Sequence, residues 1–174
     1  VPDMDFVVEA GNRLWGCRYG LDQDGEMINQ LYCCKLGDFK NWNVFMGLST
    51  DSYAVSCGSD GAFTGACSFF GAPLFFKEKG VHKIYGSYPA TYGAQFTACR
   101  GVQAGCHGSI AIAGDTLFYV SRGAVCAFDG SLPVEISRIP SQTVTNISAW
   151  LLSQSSSLVF SRIWSGVRSC LAKS

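Results

Sequence analysis

The chain has 174 residues, of which 48% are hydrophobic and 15% charged, and these proportions are typical of a globular protein rather than a disordered one. Thirteen basic and thirteen acidic side chains give a formal net charge of zero, which excludes a bulk electrostatic attraction to nucleic acid or anionic membrane. The apolar runs are far shorter than the roughly 18 residues of a membrane-spanning helix, so no membrane span is expected.

Nine cysteines are present, and their spacing contains neither a CxxC pair nor a Cys/His pattern of the kind that holds zinc. The first residues lack a basic segment followed by an apolar core, so no secretory signal is expected. Reduced thiols are therefore predicted. Most cysteines fall inside apolar strand patterns, as Cys33, Cys67 and Cys126 do, where a thiol packs as a small hydrophobic side chain. We expect no metal and no cofactor.

Residues 1–57 are predicted to form a first, irregular β module. Residues 13–17 and 28–34 have the composition of short strands, and residues 21–26 supply the Asp and Gly of an exposed turn between them. Acidic side chains in that turn also suggest calcium binding. The segment lacks the further ligands of an EF-hand loop, however, so a solvated turn is favoured.

The most distinctive local motif of this module spans residues 35–45. Gly37 is expected to supply a positive φ, and Asp38 to accept backbone hydrogen bonds within a turn. Trp42 and Phe45 are expected to cover the core of the module. These roles account for the motif without a ligand.

Two further segments are each predicted to form a β-hairpin. Residues 71–86 read as an apolar strand, a polar turn at Lys79-Gly80 and a second apolar strand, and residues 114–130 repeat this pattern 43 residues later. The offset superposes residues of the same type: Gly71 on Gly114, Leu74 on Leu117, and Gly80 on Gly123. A fixed period in the low forties with several short strands in each period indicates β-propeller blades.

The predicted fold is therefore all-β, a partial propeller of about three modules of short antiparallel strands. The modules are placed at residues 1–57, 58–100 and 101–138. Residues 139–174 hold ten serines, one glycine and no acidic residue, whereas all thirteen acidic residues precede them. This serine-rich segment is predicted to be an atypical tail, of the kind that a frameshift or truncation produces, contributing little to the β core.

The order of the motifs carries a resemblance to a known family. The sequence Asn12-Arg13-Leu14, then Gly37-Asp38-Phe39, Asn41-Trp42 and Phe45, followed by the two hairpins, resembles β-propeller tail and nozzle proteins of tailed bacteriophages. The similarity covers residues 3–138. The positions predicted to form its structural motif are Asn12, Arg13, Leu14, Gly37, Asp38, Asn41, Trp42, Gly71, Gly80, Gly114 and Gly123.

The resemblance implies a non-enzymatic structural protein of the virion, at the tail hub, nozzle or neck, and a fragment of a longer propeller protein. Its partners would be other tail or neck proteins and further copies in a homo-oligomeric ring, with passive contact with DNA in the lumen. The protein would be assembled in the host cytoplasm and reside in the virion.

Two other functions stay open. A carbohydrate- or ligand-binding propeller would stack exposed aromatic side chains, such as Trp42, Tyr88 or Tyr92, on sugars. A cysteine- or metal-dependent enzyme would use Cys99 and the adjacent Cys106-His107 pair, although no complete catalytic signature surrounds them. A catalytic role is the least favoured of the three.

Overall fold

The computed structural model describes residues 1–138, and predictions for residues 139–174 lie outside this range. The described chain forms three four-stranded antiparallel sheets, which confirms the predicted all-β fold with blade-like sheets. It divides into two compact units, one of residues Val1–Ala98 with the first two sheets, and one that begins at Cys99 and contains the third.

The first sheet has the strand order β1-β2-β3-β4. Its strands are β1 (Phe6–Ala10), β2 (Arg13–Leu21), β3 (Met27–Cys33) and β4 (Tyr53–Ser56). The strands predicted at residues 13–17 and 28–34 are thus confirmed. In the turn between them, Asp22 Oδ1 accepts the backbone N–H groups of Asp24 at 2.9 Å and Glu26 at 2.8 Å. The Asp22 carboxylate therefore has the ordinary role of an acidic residue in a turn.

The second sheet repeats this order with β5 (Phe63–Phe69), β6 (Ala72–Lys77), β7 (Gly80–Tyr85) and β8 (Gly93–Ala98). A short 3-10 helix, η1 (Pro89–Thr91), lies in the connection between β7 and β8. Buried apolar side chains of the first two sheets form one core cluster: Ala10, Trp15, Cys17, Leu31, Cys33, Phe63, Phe75 and Ile84. Each large member contributes about 1.5–3 kcal/mol by its removal from water, so this shared core holds the two sheets together.

The third sheet contains β9 (Ala111–Ala113), β10 (Thr116–Ser121), β11 (Ala124–Phe128) and β12 (Val134–Arg138), in that order. A second 3-10 helix, η2 (His107–Ser109), precedes it. Tyr119 in β10 is fully buried, and its hydroxyl donates to the carbonyl oxygen of Arg100 at 2.5 Å. This bond satisfies the one polar group of a ring that otherwise packs as an apolar side chain.

The strand registers correct the predicted repeat offset. In the second sheet, the turn between β5 and β6 is flanked by the pair Phe69 and Ala72. In the third sheet, the turn between β9 and β10 is flanked by the pair Ala113 and Thr116. Equivalent positions are thus 44 residues apart, and Leu117 is not the counterpart of Leu74. The difference matters because a slip of one residue moves every side chain of a strand to the opposite face of the sheet.

The false offset of 43 arises from the glycines of these two turns. The turn in the second sheet is Phe70-Gly71, with glycine second, whereas the turn in the third sheet is Gly114-Asp115, with glycine first. Gly71 and Gly114 both have positive φ, at +73° and +58°. An alignment on glycine therefore superposes different turn positions.

Gly80 lies in a different position from the one predicted for it. Lys77 pairs with Gly80, so the turn residues are Glu78 and Lys79, and Gly80 is the first residue of β7. A Cβ atom at Gly80 would lie 2.4 Å from the ring of Phe96 and 2.7 Å from the carbonyl oxygen of Thr97. At Gly80, glycine is required because β8 approaches closely. At Gly123, glycine is favoured because the turn needs a positive φ, here +71°.

We expect Gly80→Ala to lower the free energy of unfolding by about 1–3 kcal/mol, because the added methyl group forces β8 to move. Gly93→Ala in the same sheet is the matched control, since a Cβ there meets no atom within 4 Å. Urea denaturation measures both. Equal midpoints for the two variants would contradict the steric role of Gly80.

The cysteines of the described residues are mostly packed thiols. Seven form no disulfide, whereas Cys106 is disulfide-bonded, which corrects the prediction of reduced thiols at that position. Burial raises the pKa of Cys33 in β3 and of Cys67 in β5 to about 12. Cys126 in β11 is also buried, and its pKa is raised for the same reason. These three thiols stay protonated at neutral pH and are poor nucleophiles.

Candidate interaction loop

The segment of residues 34–52 connects β3 to β4 and contains no strand of its own, apart from an isolated bridge between Lys35 and Asp38. We call it the 34–52 loop. Connections of this length are uncommon inside compact domains and are often functional. The motif predicted at residues 35–45 lies within it, so the loop is the first candidate site.

The turn at Gly37-Asp38 has the predicted chemistry. Gly37 has φ +69°, and Asp38 Oδ1 accepts the backbone N–H of Lys40 at 3.2 Å. The other carboxylate oxygen of Asp38 accepts the side-chain amide of Asn41. The carbonyl oxygen of Asn12 accepts the N–H of Gly37 at 3.3 Å, so the two halves of the sequence motif meet in space.

Arg13 holds the two ends of the loop to β2. Its guanidinium is buried and donates to the carbonyl oxygens of Cys34 at 2.8 Å, Asp51 at 2.5 Å and Ser49 at 2.8 Å. The planar fork of arginine can serve several acceptors at once, which a lysine ammonium cannot do with the same geometry. Leu14 reinforces this junction, because its carbonyl oxygen accepts the N–H of Cys34 at 3.0 Å.

Asp51 orders the tip of the loop from inside. Its Oδ2 atom accepts the backbone N–H groups of Met46 and of Leu48, the latter at 3.1 Å. Its Oδ1 atom is buried and has no hydrogen-bond partner. The positively charged Arg13 thus binds backbone carbonyl groups of the loop, and the negatively charged Asp51 binds backbone N–H groups.

The aromatic residues of the motif differ from each other in burial. Trp42 is buried, as predicted, and its Nε1–H donates to the carbonyl oxygen of Phe39 at 2.6 Å. Phe45 is 58% exposed, so the prediction that it covers the core is wrong. The next residues along the chain, Met46 and Leu48, bond through their backbone N–H groups to Asp51.

The loop exposes several large apolar side chains. They are Leu36, Phe39, Phe45, Met46 and Leu48, with Met46 reaching 77% exposure. Single exposed apolar residues are normal on protein surfaces, but several on one ordered loop are typical of an interaction site. Phe45 and Leu48 line one cleft, and Leu36 and Phe39 line another. We call the five side chains together the apolar patch of the 34–52 loop.

A cleft of about 550 Å³ lies beside the loop within the first unit. Phe45 and Leu48 of the loop line it, together with Tyr53 of β4 and with Tyr88 and Pro89 from the connection between β7 and β8. Its lining combines apolar and aromatic side chains with the polar groups of the loop, a composition common in ligand clefts.

The aromatic residues named for sugar stacking are not equally available. Tyr88 is 44% exposed at the cleft. Trp42 is buried with its indole N–H already bonded, which corrects its assignment as an exposed stacking residue. Tyr92 packs edge-on against Trp15 at 5.0 Å and Tyr53 at 5.3 Å between ring centroids, so only part of its ring is free.

A buried polar cluster, which the sequence patterns did not reveal, is centred on Lys77. This side chain is 1% exposed, and its Nζ atom donates to Asn29 Oδ1 at 2.9 Å and to the carbonyl oxygen of Ser59 at 2.8 Å. The Ser59 hydroxyl lies 2.7 Å from Nε2 of His82, whose Nδ1 atom is buried without a partner. Burial, and then the charge of Lys77, lower the pKa of His82 to about 4. The ring is therefore neutral at pH 7.

The remaining motif residues lie outside the loop. Gly71, Gly114 and Gly123 occupy hairpin turns, and Gly80 lies in β7, as described above. The hypothesis of a cysteine-dependent enzyme cannot use Cys106 as its nucleophile, because this residue is disulfide-bonded and has no thiol. Within residues 1–138, no group of three or more His, Cys, Asp or Glu side chains could hold a metal ion.

None of the helices in residues 1–138 has both the length and the apolar character needed to cross a membrane. The chain matches no protein-family model and no curated protein sequence. The resemblance to phage tail proteins therefore stays a prediction from the order of the motifs.

Proposed function

We propose that this chain is a non-enzymatic structural protein of a tailed-phage virion, at the tail hub, nozzle or neck, which binds neighbouring tail or neck subunits through the apolar patch of the 34–52 loop. The observation that carries the proposal is the combination of a loop anchored by Arg13 and Asp51 with five apolar side chains exposed on it. The ordered match of the sequence motifs supplies the phage context.

An anchored loop suits assembly for a thermodynamic reason. A binding segment that is already ordered loses little conformational entropy when it meets its partner, so more of the contact energy appears as affinity. Aromatic and methionine side chains are enriched in the cores of protein interfaces, and the patch contains Phe39, Phe45 and Met46. The proposed occupant is thus a tail or neck subunit with a complementary apolar surface.

The net charge of the chain is compatible with the proposed passage of DNA through a ring of subunits. A formal net charge of zero gives no strong attraction to phosphate groups, so DNA could pass through a ring of such subunits without binding tightly. Assembly would take place in the host cytoplasm, and the assembled protein would remain in the virion. A homo-oligomeric ring is the proposed arrangement, because closed rings are a common result of head-to-tail contacts between identical subunits.

The first test is mass spectrometry of purified virions. We expect the protein in a fixed ratio to other tail proteins, and we expect it to remain after a high-salt wash that removes loosely bound host proteins. Its absence from virions whose other tail proteins are intact would contradict the structural role.

The second test concerns the patch. We expect Phe45→Ser combined with Met46→Ser to weaken binding to the neighbouring subunit roughly tenfold or more, since buried interface anchors contribute at least about 1–2 kcal/mol each. Leu21→Ser is the matched control, because Leu21 is 64% exposed in another part of the first sheet. Co-assembly of purified components measures the effect. If both variants assemble normally, the patch is not the contact.

A carbohydrate-binding module is the second candidate, and the cleft beside Tyr88 favours it. A glycan array with the unmodified protein and Tyr88→Ala separates the two functions. Specific glycan binding that disappears in a folded Tyr88→Ala protein would establish the second candidate. No specific binding leaves assembly as the function of this surface.

A further inference from the structure

Lys77 and Asn29 face each other across the first two sheets. Asn29 lies in β3 of the first sheet and Lys77 is the last residue of β6 in the second. The distance from Lys77 Nζ to Asn29 Oδ1 is 2.9 Å. A primary amine therefore lies next to a carboxamide inside the protein.

The orientation of the carboxamide is fixed by its other hydrogen bonds. Asn29 Nδ2 donates to the carbonyl oxygens of Cys57 at 2.8 Å and Ser59 at 2.7 Å. With both amide hydrogens used in this way, the oxygen side of the group is held toward Lys77. A pair held in one geometry has already lost the entropy that a reaction between free groups would cost.

Burial shifts the protonation equilibrium of the amine toward its uncharged form. Lys77 is almost completely buried, which disfavours its charged form, whereas the rings of Phe63 and Tyr19, with centroids 4.5 Å and 5.0 Å from its Nζ atom, stabilise an ammonium. No carboxylate of residues 1–138 lies within ion-pairing distance of it. Burial is the main cause that lowers the pKa of Lys77, against opposing contributions from Cys57, Asp60 and Cys17. A neutral amine has the free electron pair that a nucleophile needs.

We propose that Lys77 and Asn29 form an intramolecular isopeptide bond. The Nζ atom attacks the side-chain carbonyl carbon of Asn29, the bond from that carbon to Nδ2 breaks, and Nδ2 leaves as ammonia. One hydrogen passes from the amine to the leaving nitrogen, so the reaction consumes no oxidant, reductant or other reagent. The product is a secondary amide between β6 and β3.

Ser59 and His82 lie beside the reacting pair. The carbonyl oxygen of Ser59 contacts both reacting side chains, and its hydroxyl is 2.7 Å from the neutral His82 ring. A neutral imidazole can accept a proton at one step and return it at the next. Ser59 thus links the His82 ring to the reacting pair, while the net hydrogen passes from the amine to the leaving nitrogen.

The bond would join two sheets that otherwise share only non-covalent contacts. A covalent connection between positions far apart in sequence restricts the unfolded chain and so stabilises the folded state. This inference does not depend on the proposed virion role, since it concerns only residues inside the first unit.

Intact-mass spectrometry of the full chain, denatured and reduced, tests the proposal. We expect a mass below that of the sequence by one ammonia molecule. Proteolysis should yield a branched peptide in which the Lys77 and Asn29 segments are joined. Lys77→Met and Asn29→Leu should each have the mass of their own sequence, whereas Lys83→Met, which removes a lysine of the neighbouring strand β7, should keep the ammonia loss.

The unmodified chain decides the outcome even if a variant fails to fold. A mass equal to that of the sequence, in fresh and in aged protein, would overturn the proposal. An ammonia loss that persists in Lys77→Met would also overturn it, because the loss would then come from a reaction that does not involve this amine, such as succinimide formation at an asparagine.

Discussion

Arg13→Met is expected to lower the free energy of unfolding by about 3 kcal/mol or more, because three carbonyl groups lose their donor at about 1–3 kcal/mol for each buried acceptor left unsatisfied. Arg13 is 3% exposed, and its guanidinium donates to the carbonyl oxygens of Cys34, Ser49 and Asp51. Methionine fills much of the volume but donates no hydrogen bond, so these acceptors lose their donor. Chemical denaturation monitored by tryptophan fluorescence measures the change.

Two variants sharpen this experiment. Arg18→Met removes a partly exposed guanidinium whose partner is Asp5 at 2.8 Å, and we expect a loss of no more than about 1 kcal/mol, as for other surface ion pairs. Arg13→Lys keeps the charge but cannot reach three carbonyl groups in one plane, so it should recover only part of the stability. Full recovery by lysine would mean that charge, and not the planar fork, anchors the loop.

The same variant connects stability to the proposed function. If Arg13 fixes the 34–52 loop, its loss should also weaken subunit binding through the apolar patch, because an unanchored loop must be ordered again at the interface. Arg13→Met should therefore reduce co-assembly even at temperatures where it is folded.

The sequence patterns predicted the sheets because strand formation depends on local signals. Alternating apolar side chains and turn residues mark most of the strands, and the Asp22 and Gly37 turns form where those residues occur. Register was predicted less well. Glycine can serve either position of a two-residue turn, so aligning Gly71 with Gly114 gave an offset that was one residue short.

Burial of individual side chains depends on contacts that local patterns do not contain. Lys77 follows an apolar run and precedes a polar turn, which suggests an exposed residue, yet the first sheet covers it and supplies the Asn29 oxygen. Phe45 shows the reverse case, since an aromatic side chain in an apolar motif lies outside. Its exposure depends on the path of the 34–52 loop, which is held by Arg13 and Asp51, residues that are 38 positions apart in the sequence.

His82 gives the second large expected effect, a loss of stability in mild acid. His82 is 3% exposed, and burial is the main cause that lowers its pKa from 6.5 to about 4; the smaller contribution of the Lys77 charge would be lost in a protein that carries the Lys77–Asn29 bond. Between these two values the unfolded chain binds a proton that the folded chain does not bind. Stability must therefore fall as the pH decreases from about 6.5 to about 4, and it should change no further through this group below pH 4.

The size of this loss of stability follows from the difference between the His82 pKa in the unfolded and in the folded chain. A lowering of the pKa from 6.5 to about 4 corresponds to at most about 3 kcal/mol between the two ends of this pH range. Urea denaturation at a series of pH values measures it. His82→Gln keeps a polar group that can bond to the Ser59 hydroxyl but does not titrate, so its stability should vary less over the same range. If the parent and His82→Gln lose stability in parallel as the pH falls, then other groups cause the acid sensitivity, and the buried imidazole is not the pH-sensitive element of this unit.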